Sequence, residues 1–199
     1  MEAILFDIGN VLLFFDHGRA CRRVAGLCGL SEAEVRTRMF GSGAVLDYEE
    51  GRLTTPAFVA ATRDLLGVEV SDDQFHDIWC DIFWENERVV PMVAGLAARY
   101  RLVLLSNTNA MHMEFIRQRF GVFEQFHGAA LSYEVGHCKP SRAIFESALA
   151  QAGVAAEECL YIDDIAEYCG AGRQLGFQAI HYTPTTDLSV ELAGVCGSR

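Results

Sequence analysis

Four apolar runs in this chain each stop on a polar group. Ala3-Ile-Leu-Phe6 ends on Asp7, Leu102-Val-Leu-Leu105 on Ser106 and Asn107, Gly128-Ala-Ala-Leu131 on Ser132, and Leu160-Tyr-Ile162 on Asp163 and Asp164. Short, continuous apolar runs suit strands buried on both faces. A carboxylate closing such a strand costs free energy unless a partner, a metal or a reaction uses its charge. Between and after these runs the apolar period is helical, over residues 93–99, 110–119, 141–152 and 166–175, with a last strand expected at 178–182. Strand–helix alternation implies right-handed crossovers and a parallel sheet. In such sheets ligands gather at the carboxyl ends of the strands. The expected fold class is therefore α/β, a Rossmann-like doubly wound parallel sheet, and its polar strand ends predict one site.

Residues 17–88 read differently, with helical periodicity and no convincing strand. Thr54-Thr55-Pro56 and Ser71-Asp72-Asp73-Gln74 look like helix starts, a polar cap in each and a proline near the first turn in one. Phe58, Ala61, Thr62, Leu65 and Leu66 then recur at helical spacing, as do Phe75, Ile78, Trp79 and Ile82. Gly41-Ser42-Gly43 breaks a helix, and Asp47-Tyr48-Glu49-Glu50-Gly51 reads as a polar connection. The first strand must join the later sheet. The expected organisation is a core of residues 1–16 and 89–199 with a small helical cap, residues 17–88, inserted into it.

The 199 residues carry a formal charge of -11, which argues against nucleic acid or an anionic membrane surface as a main partner. No apolar run approaches the ~20 residues that span a bilayer. Glu2 stands where a secretory leader would be basic, and Asp7 interrupts the apolar stretch, so no signal peptide is expected. Seven cysteines, Cys21, Cys28, Cys80, Cys138, Cys159, Cys169 and Cys196, form no CxxC pair. An odd, scattered set fits reduced thiols and a cytoplasmic location, with Cys138 notable for its neighbour Lys139.

Each polar strand end has a bland reading and a chemical one. Asp7 is a turn or capping residue, or a nucleophile toward phosphorus or carbon. Ser106-Asn107-Thr108-Asn109 caps the next helix, or offers hydroxyl, amide and backbone donors to an oxyanion. Lys139, before Pro140 and a helix, is a solvated lysine, or it neutralises a phosphate and pairs with a carboxylate. Asp163-Asp164 is a solvated turn, or two adjacent carboxylates whose repulsion a hard divalent cation relieves.

Together these segments resemble the haloacid dehalogenase-like hydrolase superfamily, in order and spacing and over nearly the whole chain. The resemblance rests on Phe6-Asp7-Ile8-Gly9-Asn10-Val11, Leu105-Ser106-Asn107-Thr108-Asn109, Lys139-Pro140-Ser141-Arg142-Ala143-Ile144-Phe145, and Ile162-Asp163-Asp164 followed by Gly170-Ala171 and Leu175-Gly176. Within it, the opening motif, Ser106 to Asn109 with His112 after it, Glu49-Glu50-Gly51 and the length are most like the α-D-glucose-1-phosphate phosphatase group. The resemblance implies a Mg²⁺-dependent phosphatase of a small phosphorylated metabolite, a sugar phosphate; a monomer or weak homodimer is the expected assembly. It implies that Asp7 attacks phosphorus and becomes an aspartyl-phosphate, that Ser106 and Asn107 hold the phosphoryl group, and that Lys139 steadies both. Asp7, the Gly9 carbonyl and Asp164, with Asp163 beside them, would hold Mg²⁺.

Two positions depart from the superfamily pattern. Most of its phosphatases place a second Asp two residues after the nucleophile, as acid and base; here Gly9 stands there. General acid–base catalysis is worth ~10²–10⁴-fold. An anomeric leaving group can dispense with the acid, which is the reading favoured at this level; alternatively Asp16 or His17 substitutes, or turnover is slow. Tyr168 stands where Asn is common, near the rim of the site or packed in the core. Asp47, Tyr48 and Glu49 are expected to dip toward the pocket, and Trp79, Phe83 and Trp84 to line it or to pack at helical spacing. Two rivals remain: a metal-independent 2-haloacid dehalogenase, against which Asp163-Asp164 speaks, and a weakly active or non-catalytic sugar-phosphate-binding relative.

Overall fold

The structure, a computed structural model, describes residues 1–196. Its strands are β1 (Ala3–Phe6), β2 (Leu13–Phe15), β3 (Phe83–Glu85), β4 (Arg101–Ser106), β5 (Gly128–Leu131), β6 (Cys159–Asp163) and β7 (Gln178–His181). Five of them form a parallel sheet in the order β5-β4-β1-β6-β7. The two halves of the winding diverge from β1, which places the switch in chain direction at the middle of the sheet.

The apolar runs fill both faces of this sheet in alternation. Ile4, Phe6, Leu102, Leu104, Leu160 and Ile162 face Val93, Met113 and Ile116. Ala3, Leu5, Val103, Leu105, Cys159 and Tyr161 face Ile144, Phe145 and Ala148. Each large side chain so buried contributes ~1.5–3 kcal/mol, and a one-residue slip would exchange the faces. Phe6 stands level with Leu104 on one side and Ile162 on the other. That register brings Asp7, Ser106 and Asp163 to one edge, and the Asp7 N–H donates to the Ile162 carbonyl at 2.9 Å.

Five helices lie between β2 and β3: α1 (His17–Cys28), α2 (Glu32–Gly41), α3 (Ala44–Glu49), α4 (Thr55–Leu66) and α5 (Asp72–Cys80). Their starts follow the sequence signals. Ser31 with Glu34 and Ser71 with Gln74 form capping boxes, and Thr54 caps α4 with Pro56 in its first turn. Tyr48 stacks on Phe58 at 4.3 Å within a core that includes Phe75 and Trp79. The Tyr48 hydroxyl accepts the Met111 N–H at 3.1 Å, which ties this layer to the helix Ala110–Arg119 that follows β4.

The structure corrects several expectations. Residues 83–85 form a strand, β3, paired antiparallel with β2, so both crossings between sheet and helical layer run together as one ribbon. Three-residue strands show too little alternation to be read from sequence. Residues 47–51 are not a plain connection, because Ala44–Glu49 closes into a helical turn. Ser132 opens a short helix, Ser132–Val135, rather than ending β5. Trp79 is core, whereas Trp84 lies on the outer face of the ribbon, 45% exposed. No helix among the described residues is long and apolar enough to cross a membrane. Cys21, Cys28, Cys80, Cys138, Cys159 and Cys169 are free thiols; the Cys196 side chain lies outside the described set.

Candidate active site

The sheet edge gathers three carboxyl groups around one ammonium. Lys139 Nζ lies 2.9 Å from Asp7 Oδ1 and 2.7 Å from Asp163 Oδ2, and also donates to the Leu105 carbonyl at 3.1 Å. Lys139 and Asp163 are fully enclosed and Asp7 nearly so. Asp163 is also held by the Tyr161 hydroxyl and by the Ile165 N–H at 2.7 Å. Three of its roughly four acceptor sites are thus taken. Asp164 is half-buried and accepts the Asn10 side-chain amide at 2.9 Å. Asn10 has φ 54°, a left-handed conformation that asparagine tolerates better than most residues.

Ligand oxygens of Asp7, Asp163 and Asp164 lie within 4.8 Å of one another. Three carboxyl groups against one lysine leave an excess of negative charge that a hard, oxygen-seeking cation would balance, and the donor set fits Mg²⁺. The electrostatics agree. Burial pushes the Asp7 carboxyl up, Lys139 opposes this and Asp163 adds to it, leaving it at about 6. Burial pulls the Lys139 ammonium down, yet Asp7 and Asp163 more than offset this and hold it above its ordinary value. Burial likewise raises Asp164, against the pull of its Asn10 hydrogen bond.

A cleft of ≈ 80 Å³ separates this edge from the helical layer, with Gly9, Phe15, His17, Glu49, Ser106 and Asn107 among its walls. The Ser106 hydroxyl faces Asp7 as a hydrogen-bond donor. Asn107 uses its side chain on the backbone of Lys139: Oδ1 accepts that N–H at 2.6 Å and Nδ2 donates to that carbonyl at 3.2 Å. The Lys139–Pro140 peptide is cis. The Thr108 N–H donates to Ser132 Oγ at 2.9 Å, which braces the turn after β4. Asn109 caps the following helix by accepting the His112 N–H at 3.1 Å.

Every candidate strand-end residue therefore reaches this edge, though not every one in the form expected. The Asn107 side chain positions the lysine loop, so an anion would meet its backbone or Ser106 instead. Tyr168 is at the site: its ring lies 5.1 Å from Lys139 Nζ and its hydroxyl 3.5 Å from Asn107 Nδ2. Asp16 is not in the cleft, because it caps α1 and pairs with Arg22 at 2.9 Å, which holds its carboxyl below the usual range. His17 does line the cleft, but burial and Arg36 push it down to about 4, so it is neutral. Asp47 turns outward to Arg52 and Tyr48 turns into the core; Glu49 alone of the three faces the cleft. Phe83 lines the cleft beside it. Sequence reasoning missed Asn10 and Tyr161. The first carried a signal, an asparagine in a Gly-Asn turn; the second, inside an apolar run, carried none.

A parallel sheet whose central strand ends on an enclosed aspartate, with a buried lysine and a second acidic strand end beside it, makes a hydrolase site. The comparison with known families agrees: residues 1–176 match the haloacid dehalogenase-like hydrolases, and the chain belongs to that family. It is 30% identical over 206 residues to a D-ribitol-5-phosphate phosphatase of Bacteroides thetaiotaomicron, covering 100% of both chains. A haloacid dehalogenase (HAD) family enzyme of the same organism superimposes with a TM-score of 0.87 at 26% identity, over 96% of this chain and 98% of that one. The same enzyme solved with magnesium and inorganic phosphate gives a TM-score of 0.84, at 26% identity over the same 96% and 98%. A predicted HAD-like hydrolase of Porphyromonas gingivalis, 24% identical over 100% of this chain and 99% of that one, shares the fold with a TM-score of 0.85.

Proposed function

We propose that this protein is a Mg²⁺-dependent phosphatase that cleaves a small sugar or sugar-alcohol phosphate through an aspartyl-phosphate on Asp7. The observation that carries the proposal is the cluster of Asp7, Asp163 and Asp164, with Lys139 paired to the two buried ones. A phosphoric monoester hydrolase needs a nucleophile, positive charge for the transferring oxygens and a dry setting, and this edge supplies the first two beneath a closing layer.

In this reading Asp7 Oδ attacks phosphorus in line with the departing oxygen. Lys139 keeps the nucleophile ionised and oriented and faces the phosphoryl oxygens, while Asp163, pinned by Tyr161 and the Ile165 N–H, fixes Lys139. Ser106 donates its hydroxyl, and Asn107 holds the lysine loop and offers its backbone. Asp7, Asp164 and the Gly9 carbonyl would hold Mg²⁺, with Asp163 behind them; the ion supplies Lewis-acid neutralisation of phosphoryl charge and a template for alignment. Residues 17–88 act as a cap that excludes water and selects the leaving group.

The D-ribitol-5-phosphate phosphatase relative supports a polyhydroxylated leaving group, as does the resemblance to the glucose-1-phosphate group. The cleft of ≈ 80 Å³ is small beside the ~300–1,000 Å³ of pockets for drug-sized ligands, so the cap would open to admit either a polyol or a sugar phosphate. The test is phosphate release from a panel of sugar and polyol phosphates, with and without Mg²⁺, beside Asp7→Asn. Metal-dependent release by the wild type and none by the variant is expected. Halide release from 2-haloacids without metal would overturn the reading.

A further inference from the structure

We propose that Glu49, carried by α3 to the wall of the cleft that Gly9 and Ser106 also line, is the acid and base of both half-reactions. This rests on the aspartyl-phosphate reading above.

The position where the superfamily keeps its acid has been filled. A Cβ at Gly9 would lie 2.9 Å from Phe15 Cε1, so the Phe15 ring occupies the space such a side chain needs. Any proton donor must then come from elsewhere on the cleft wall. Asp7 Oδ2 lies 3.9 Å from that Cβ position, and Gly9 lines the cleft that the helical layer closes, so attack by Asp7 on a phosphate seated there sends the leaving oxygen toward that layer. That layer presents two titratable side chains to the cleft, His17 and Glu49. His17, pushed down to about 4, is neutral at pH 7 and lacks the acidic imidazolium proton.

Glu49 differs from its neighbour Glu50. Glu50 pairs with Arg52 and accepts the Cys138 N–H at 3.4 Å. Glu49 makes no hydrogen bond or ion pair among the described residues, and its carboxyl is free to meet a ligand. Burial first, and the Glu50 charge second, push it up to about 7, where it can both give and take a proton. The groups around it are Glu50 on its own helix, Cys138 on the lysine loop, and His17 and His112 on the cleft walls. None of these is a cation at neutral pH that would pull the carboxyl down again.

The chemistry balances. In the first half-reaction Asp7 Oδ bonds to phosphorus, the P–O bond to the leaving group breaks, and the Glu49 proton passes to the departing oxygen, giving the free alcohol. In the second, water approaches from the side the alcohol left. Glu49 takes its proton, the oxygen bonds to phosphorus, and the P–O bond to Asp7 breaks. Phosphate leaves, and Asp7 and Glu49 return to their starting states.

The test compares wild type, Glu49→Gln and Glu49→Asp on ribitol 5-phosphate and p-nitrophenyl phosphate with Mg²⁺, with Asp7→Asn alongside. A nitrophenolate departs without a proton; an alkoxide does not. Glu49→Gln is expected to lose ~10²–10⁴-fold in kcat on the alkyl phosphate. On the aryl phosphate its first turnover should stay within about tenfold of wild type, a stoichiometric burst followed by slow turnover. Glu49→Asp should recover part of the loss. The fall in wild-type first-turnover rate on the alkyl phosphate above about pH 7 should vanish in Glu49→Gln. Equal slowing of the first turnover on both substrates, or a change confined to KM, would overturn the role of Glu49 while leaving Asp7 as nucleophile. Turnover by Asp7→Asn, or no phosphate released by wild type from either compound, would overturn the underlying reading.

Discussion

The side-chain amide of Asn107 clasps the backbone of Lys139 at both ends, accepting its N–H at 2.6 Å and donating to its carbonyl at 3.2 Å. A residue at the end of β4 thus sets where a lysine 32 positions later can place its ammonium. Asn107→Ala removes both bonds. At ~0.5–1.5 kcal/mol each, the loss should lower stability by about 1–3 kcal/mol and kcat by roughly 10–100-fold, with a smaller change in KM. Denaturant unfolding and steady-state kinetics measure the two effects; unchanged kcat would show that Lys139 holds its place without the clasp.

Lys139 is the cation paired with two enclosed carboxylates at once. Lys139→Ala would leave Asp7 and Asp163 without their cation, and breaking a buried pair in this way costs ~3–5 kcal/mol. The variant should unfold at markedly lower denaturant and show no phosphatase activity. A variant as stable as wild type would mean that both carboxyls simply take up protons.

Cation binding should be visible without catalysis. A ligand that binds the folded state alone stabilises it by about 2.7 kcal/mol at a hundred times its Kd. Mg²⁺ should therefore raise the melting temperature of wild type, and EDTA should reverse the shift. Asp164→Asn, which keeps the size of the side chain and removes its charge, should lose most of the shift.

The metal-free protein should lose stability as pH rises. Glu49 sits at about 7 in the folded state against an ordinary value of 4.5, because burial disfavours its charge. Its contribution is fully present below pH 4.5 and disappears as pH climbs through about 7. Each unit of separation is worth about 1.4 kcal/mol. Glu49→Gln should match wild type near pH 4 and exceed it by a few kcal/mol near pH 8. Parallel stability curves for the two proteins would show that the carboxyl titrates normally.

Gly51 marks how tightly the helical layer is seated. It has φ 67°, and a Cβ there would fall 2.3 Å from the Tyr133 carbonyl oxygen, which is backbone and cannot swing aside. Gly51→Ala should pry α3 from the short helix Ser132–Val135 and displace Glu49. Activity on alkyl phosphates should drop by at least tenfold, with a fold that still melts cooperatively. Wild-type kinetics in this variant would show that the contact is not transmitted to the cleft.

Much of this site was legible because strand ends are set by a simple rule: an apolar run must stop where its polar residue can be satisfied. Asp7, Ser106 and Asp163 follow from that rule and the register of β1. Their division of labour does not. Nothing in the sequence shows that Tyr161, the Ile165 N–H and Lys139 hydrogen-bond to Asp163, or that the Asn107 side chain grips the Lys139 backbone. The ribbon of β2 and β3 escaped notice because each strand spans three residues. Within residues 47–49, helical rotation sends consecutive side chains to solvent, core and cleft, and no local pattern announces that Ala44–Glu49 will coil.

The pairing of Leu13 with Glu85 and of Phe15 with Phe83 also limits how the two halves of the molecule can part. Two separate tethers would let the upper half slide, twist or lift in any direction. Laced together they behave as a single strap, leaving one cheap motion, a tilt about its axis. Phe15 belongs to that strap and fills the space beside Gly9, so any such tilt would carry the ring with it and reshape the floor and the roof of the reaction chamber in the same stroke.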